Sequence, residues 1–155
     1  MPDKLIRLSK SCLGAEERAS VSNVLKKEFF GMGDEVRQFE ELLSDFFKRP
    51  SVCVSSGTSA LHLALQAIGV GRGDEVLVQS LTYVASFQAI SAVGAIPIAC
   101  DIDPETLCID LNDAKKLITL KTRAIMPVHY SGGVGSLSEL YDFAINHDLR
   151  VIEDA

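Results

Sequence analysis

Residues 51–65 read Ser51-Val52-Cys53-Val54-Ser55-Ser56-Gly57-Thr58-Ser59-Ala60-Leu61-His62-Leu63-Ala64-Leu65. A short apolar run, β-branched at Val52 and Val54, gives way to small hydroxyl residues and a glycine. An alanine- and leucine-rich segment follows. This predicts a strand over Ser51–Val54, a tight connection, and a helix over 58–68. The same grammar recurs downstream. Apolar runs at Glu75–Gln79, Ala95–Asp101, Arg123–Val128 and Leu149–Glu153 predict further strands, and segments 83–93, 111–120 and 137–147 predict helices between them. Short strands alternating with helices imply a three-layer α/β fold, with a parallel sheet covered by helices.

The punctuation agrees. Gly69-Val70-Gly71-Arg72-Gly73 breaks the chain before a strand, and Asp103-Pro104 marks a turn. Asp110 with Asp113, and Ser136 with Glu139, predict capping boxes at two helix starts. Pro97 and Pro127 fall inside strand runs, where the missing N–H blurs the boundaries. Upstream, Val21, Val24, Leu25 and Phe29 recur at helical spacing within 15–30. Val36, Phe39, Leu42, Leu43, Phe46 and Phe47 do so within 34–48. Gly31 suits the left-handed residue that ends a helix, and Asp34 suits the cap that starts one. The acidic Glu35, Glu40, Glu41 and Asp45 on the second helix argue against a DNA-reading pair.

Composition bounds the function classes. The 155 residues predict about one domain. Apolar residues make up 47% and charged residues 23%, as in globular proteins and unlike disordered, collagenous or coiled-coil chains. A net charge of −6 leaves no electrostatic footprint for nucleic acid. Cys12, Cys53, Cys100 and Cys108 form no C-x-x-C pair, and His62, His129 and His147 are too scattered for a metal box, so no metal site is expected. The N-terminus has no apolar signal core, and no apolar run is long enough for a membrane span. The reading is a cytoplasmic protein with no membrane partner.

In open α/β sheets, ligands bind at the carboxyl ends of the strands. The residues after each strand run therefore carry the candidate chemistry. At Ser55–Ser59, Gly57 lets backbone approach a ligand, and the first N–H groups of a helix are unpaired at the positive end of its dipole. A phosphate cradle and an ordinary serine/threonine cap both fit. Neither G-x-x-x-x-G-K nor G-x-G-x-x-G is present. Ser80-Leu81-Thr82-Tyr83 puts an aromatic at the sheet mouth, able to stack on a planar ring or to pack on its own helix. His129-Tyr130-Ser131-Gly132-Gly133-Val134-Gly135 reads as a flexible connection, with His129 as readily a capping or core residue as a site residue. Glu153 and Asp154 end the last strand run. Strand alternation sends them to opposite faces, so they form no acid–base dyad. One carboxylate there can serve magnesium, a ribose hydroxyl or a protonated ring nitrogen, or be a solvated strand end.

Several segments then occur in a telling order: Ser56-Gly57-Thr58-Ser59-Ala60-Leu61-His62-Leu63-Ala64-Leu65, Gly73-Asp74-Glu75-Val76, Ser80-Leu81-Thr82-Tyr83-Val84-Ala85, Gly94-Ala95-Ile96-Pro97, Asp101-Ile102-Asp103-Pro104-Glu105-Thr106, Pro127-Val128-His129-Tyr130-Ser131-Gly132 and Val151-Ile152-Glu153-Asp154-Ala155. In this order and spacing the chain resembles the DegT/DnrJ sugar aminotransferases. These are pyridoxal-phosphate enzymes of fold type I that place an amino group on nucleotide-linked keto-sugars. The resemblance runs from about Ile6 to the last residue, and Arg7–Ser11 and Gly31–Phe39 fit the family's N-terminal arm.

The resemblance implies a mainly parallel three-layer sheet of the PLP-dependent transferase major domain, here incomplete. An N-terminal helical arm would cover 1–50 and the first part of the large domain 51–155. It implies pyridoxal 5′-phosphate as cofactor. Gly57, Thr58 and Ser59 would hold its phosphate, Tyr83 would stack on its ring, Asp154 would pair with the protonated pyridine nitrogen, and His129 would support the site. Gln79 stands where the family often carries proline, a departure that concerns the local loop rather than the chemistry. The implied substrates are a nucleotide-diphosphate 4-keto or 3-keto-6-deoxysugar and an amino-acid donor, glutamate. The product would serve surface polysaccharide (O-antigen/LPS-type) or deoxyaminosugar biosynthesis. The implied assembly is a homodimer in which the partner's arm completes each site.

One group is missing from that set. Transamination needs a lysine that forms a Schiff base with the cofactor, and the family places it downstream of the Glu153-Asp154-Ala155 strand end. The chain's lysines at positions 4, 10, 26, 27, 48, 115, 116 and 121 lie in the arm or in helix and helix-end segments. No catalytic residue is therefore assigned within the chain, which is expected to be a truncated N-terminal portion, inactive alone. Fold type I also pairs its first large-domain strand with a later antiparallel one. Ser51–Val54 is thus expected to lack its partner, while the second to fifth strands pair among themselves. Two alternatives remain: a sugar dehydratase of the same fold with histidine in place of the lysine, and a non-catalytic fragment.

Overall fold

The computed structural model describes residues 10–155, so Arg7 to Ser9 of the arm resemblance lie outside the described residues. The chain divides into two compact units, one ending at Cys53 and the other running Val54–Ala155.

The first unit holds two helices, α1 (Ala15–Lys27) and α2 (Asp34–Phe47), and neither has a buried residue. Charges complement the α1 dipole, with Glu16 and Glu17 in its first turn and Lys26 and Lys27 in its last. The Glu17 carboxylate also accepts from the Gly14 N–H at 2.6 Å. Helix α1 ends at Glu28, a left-handed residue at φ 54°. The left-handed cap expected at Gly31 is thus supplied three residues earlier, and Gly31 itself has no positive φ. Gly33 is the N-cap of α2, and Asp34 sits one position inside it. There Asp34 still faces the positive helix end, and it accepts from Arg37 at 2.6 Å.

No described strand pairs with Ser51–Val54, as was expected of it, and the strand predicted there does not form. Its N–H groups go elsewhere: Ser51 donates to Ser44 Oγ at 2.9 Å and Cys53 to Glu40 Oε1 at 2.7 Å. Backbone donors satisfied by helix side chains leave no ladder for a neighbouring strand.

The second unit is a four-stranded parallel sheet in the order β2-β1-β3-β4, built from β1 (Glu75–Gln79), β2 (Ile96–Cys100), β3 (Thr122–Met126) and β4 (Arg150–Val151). All pairings are parallel, with Leu77 opposite both Ile98 and Ile125. The second to fifth predicted strands do pair among themselves. Pro97 is tolerated because β2 is an edge strand. Pro127 falls just beyond β3, and its carbonyl accepts from the Asp154 N–H at 3.0 Å. The last strand is shorter than its apolar run, but the pairing resumes in a parallel bridge between Val128 and Asp154.

Helices α3 (Gly57–Ala67), α4 (Val84–Ala92), α5 (Leu111–Leu117) and α6 (Leu137–Asn146) cover the sheet. Alternation along the strands sorts the core into two layers. Val76, Val78, Ala124, Met126 and Ile152 pack with Leu61, Leu65, Ala89 and Ile90 of α3 and α4. Leu77, Cys100 and Ile125 pack with Ala114 of α5 and Leu140 and Ala144 of α6. Burying each large aliphatic side chain contributes about 1.5–3 kcal/mol. No described helix is long and apolar enough to cross a membrane.

The two expected capping boxes fare differently. The Asp110 carboxylate caps α5 by accepting from Asn112 N at 2.8 Å. Its reciprocal half is lost because Asp113 accepts from the Asp101 N–H instead, at 2.9 Å. The Ser136–Glu139 box does not form, since Ser136 makes no side-chain cap and its hydroxyl lies 3.4 Å from that of Ser138.

Candidate cofactor site

Three of the singled-out positions lie on the α3/α4 side at the carboxyl end of the sheet. Helix α4 starts just after β1, with Tyr83 as its N-cap residue. Helix α3 packs on α4 and leads through a turn into the start of β1, so its own N-terminus lies toward the strands' carboxyl ends. Asp154 follows Ile152 by two residues and shares its face of the sheet.

At the start of α3, the Ser56 hydroxyl caps the helix by accepting from the Ser59 N–H at 3.2 Å. It also lies 3.0 Å from the Ser59 hydroxyl, which is 3.3 Å from that of Ser55. The N–H groups of Gly57 and Thr58 have no acceptor among the described residues. A Cβ added at Gly57 would meet nothing within 4 Å, so space lies open against the exposed backbone donors. Two free N–H groups, a helix dipole and adjacent hydroxyls suit a phosphate. Ser59 can add only its hydroxyl, because its own N–H is already used by Ser56. The cap and the cradle thus coexist, divided between neighbouring N–H groups.

Tyr83 is 78% exposed, so its ring is free to meet a ligand instead of packing on its own helix. Asp154 Oδ2 accepts from Ser86 Oγ of α4 at 2.6 Å, and Oδ1 has no partner among the described residues. A half-buried carboxylate with one oxygen held and the other free suits a cationic ring N–H. These features together fit a planar, phosphorylated pyridinium.

His129 is turned the other way. Its backbone N–H donates to the Asp154 carbonyl at 2.8 Å, but its Nε2 lies 2.6 Å from Glu153 Oε2. The hydroxyl of Tyr141, on α6, donates to Glu153 Oε1. Glu153 and Asp154 therefore serve opposite faces, as strand alternation predicted. Hydrogen bonds from Tyr141 and His129 hold the Glu153 carboxyl below its ordinary range, and Glu153 pushes the Tyr141 phenol up. The imidazole of His129 is not brought together with Tyr83 and Asp154. It lines a separate cleft of about 250 Å³ with Gln79, Thr106, Cys108 and Ser136.

Sequence reading missed two residues. Ser86 lay inside a predicted helix with no signal beyond its polarity on an apolar segment. Gln79 was noted only as a departure from proline, yet it is fully buried. Its Nε2 donates to the carbonyls of Leu81 and Leu107, each at 3.0 Å, and its Oε1 accepts from Val128 N at 3.4 Å. It ties the loop leading to Tyr83 to the segment leading to His129.

Known proteins resemble this chain in sequence and in fold. The sequence pattern of the DegT/DnrJ/EryC1/StrS aminotransferase family, whose members depend on pyridoxal phosphate, matches residues 11–155. A dTDP-4-dehydro-2,3,6-trideoxy-D-glucose 4-aminotransferase of Saccharopolyspora spinosa is 36% identical over 154 residues, covering 97% of this chain and 40% of the relative. The GDP-perosamine synthase of Caulobacter vibrioides is 42% identical over 125 residues, covering 80% of this chain and 34% of the relative. Among solved structures, NtdA from Bacillus subtilis with bound cofactor PMP aligns at a TM-score of 0.84 and 36% identity, covering 89% of this chain and 32% of that one. The chain thus spans two fifths or less of the length of these relatives. By its sequence pattern and its fold, this chain belongs to the DegT/DnrJ/EryC1/StrS aminotransferase family.

Proposed function

We propose that the chain is the N-terminal part of a pyridoxal-phosphate-dependent aminotransferase acting on nucleotide-diphosphate keto-deoxysugars, with glutamate as amino donor. The helical arm would occupy 1–50 and the first part of the cofactor-binding large domain 51–155. The product would be an amino-deoxysugar for surface polysaccharide or deoxyaminosugar biosynthesis. The protein would act in the cytoplasm as a homodimer. The observation that carries this reading is the placement of the α3 N-terminus, Tyr83 and the half-free Asp154 carboxylate on one face at the sheet's carboxyl end. The two named relatives, both sugar-modifying, support the substrate class.

When bound, pyridoxal phosphate supplies an electron sink for the carbon that gains or loses nitrogen. The chain's residues prepare that chemistry. The free N–H groups of Gly57 and Thr58, with the Thr58 and Ser59 hydroxyls, bind the phosphate. Tyr83 orients the ring by stacking. Asp154 holds a proton on the ring nitrogen, because a carboxylate at hydrogen-bond distance favours the cationic form. His129 supports the loop beside Asp154 through its backbone, with its ring tied to Glu153. The lysine that carries the cofactor is assigned beyond Ala155.

The test is to supply the full-length protein with pyridoxal phosphate, glutamate and a dTDP- or GDP-linked 4-keto-6-deoxysugar, and to follow the sugar by mass spectrometry. The expected product is the amino sugar with formation of 2-oxoglutarate. A full-length sequence with no lysine beyond Asp154 overturns the transaminase reading, and dehydrated sugar without nitrogen transfer identifies the dehydratase instead.

A further inference from the structure

We propose that Ser86 is a positioning residue for Asp154, and that Thr82, Ser86 and Asp154 form a polarised hydrogen-bond chain tying the ring-facing loop to the ring-nitrogen carboxylate. The proposal rests on the cofactor reading above. Ser86 is wholly buried in the first turn of α4, where an unpaired hydroxyl would be costly. Its oxygen lies 2.6 Å from Asp154 Oδ2, 2.6 Å from Thr82 Oγ1 and 3.2 Å from the Tyr83 carbonyl. A serine hydroxyl has one proton to give. The short contact to the carboxylate takes it, because an ionised carboxylate only accepts and makes the stronger bond. The Thr82 hydroxyl must then donate to Ser86. The chain therefore runs Thr82 to Ser86 to Asp154, with the carboxylate as its terminal acceptor.

This arrangement has two consequences. It occupies Oδ2 and leaves Oδ1 free, which fixes the orientation of the carboxylate toward a ligand. It also links Tyr83 to Asp154: Tyr83 lies between Thr82 and α4, and its carbonyl accepts the Ser86 N–H at 3.2 Å. The side chain that would stack on the ring and the one that would meet the ring nitrogen are thus set by one residue, across 68 positions of sequence. An ionised Asp154 without Ser86 would be free to rotate, and its charge would be less well held.

The test uses the full-length protein with pyridoxamine phosphate, the amine form of the cofactor, isotope-labelled at its ring nitrogen. Nuclear magnetic resonance reads the titration of that nitrogen, and fluorescence quenching reads the dissociation constant. Losing a hydrogen bond to a charged group predicts about a tenfold weaker dissociation constant in Ser86→Ala, with the nitrogen midpoint lowered by about one pH unit. Ser86→Thr, which keeps the hydroxyl, should restore the midpoint. Should the alanine variant not fold, Thr82→Val carries the test, with a shift in the same direction of about threefold. Unchanged midpoint and affinity in a folded Ser86→Ala protein, or in Thr82→Val if that carries the test, overturn the proposal. Asp154→Asn separates the two claims. If it leaves the nitrogen titration as in the parent protein, the cofactor reading itself fails, whatever Ser86 does.

Discussion

Glu153 accepts from Tyr141 and faces Nε2 of His129, and these bonds lower its carboxyl below the ordinary value of 4.5. A lowered carboxylate stabilises the fold above its unfolded pKa and loses that contribution as pH falls through the folded value. Tyr141→Phe should therefore cost about 1 kcal/mol at neutral pH. The gap from the parent chain should hold down to about pH 4.5 and narrow below it, as measured by urea unfolding at stepped pH. Gln79 makes a larger contribution, because its buried amide satisfies two carbonyls and one N–H. Gln79→Leu should cost about 2–4 kcal/mol by leaving those backbone groups unpaired, which chemical denaturation would measure. Cys100 behaves in the opposite sense. Burial, and then the charge of Asp113, push its thiol up to about 12. Iodoacetamide at pH 8 should label exposed Cys12 and spare Cys100 in the native chain, with peptide mass spectrometry as the check. The Glu153–Asp154 split was legible in the sequence because a strand alternates faces whatever surrounds it. Ser86 and Gln79 were not, since their partners lie up to 68 positions away.

Among the elements, the helices of the second unit were readable to within about three residues because their apolar periods and flanking glycines are local features. The central strands were equally plain, being short and each carrying three consecutive apolar residues, Val76–Val78 and Ala124–Met126. Capping was read less well: Asp113 had a competing partner supplied by the fold, the Asp101 N–H, and the Ser136 hydroxyl lies against its near neighbour Ser138. At Ser51–Val54 the missing neighbour was expected from the resemblance, but not that side chains of α2 take its N–H groups. Asp148, which follows α6, adopts φ 54° and is exposed. A left-handed L-residue is strained by about 1–2 kcal/mol, and the entropy cost of glycine offsets part of that. Asp148→Gly should thus raise stability by about 0.5 kcal/mol, read as an upward shift in Tm by circular dichroism.

At the scale of the whole second unit, β1 feeds both core layers, with Leu77 facing α5 and α6 while Val76 and Val78 face α3 and α4. Leu77→Ala should cost about 2–5 kcal/mol. Because one strand serves both layers, amide hydrogen exchange should rise in α4 as well as in α6. A rise confined to α6 would mean that the layers unfold separately. Composition and apolar period determined the α/β class, the parallel sheet and the helix positions, because these depend on burial of local patterns. The ordered small motifs determined the family. Tertiary structure alone decided which side chains meet. It turned His129 to Glu153 and set Ser86 against Asp154. The physical reason is the same each time: a hydrogen bond between distant residues depends on the position of both partners, and a linear pattern specifies only one.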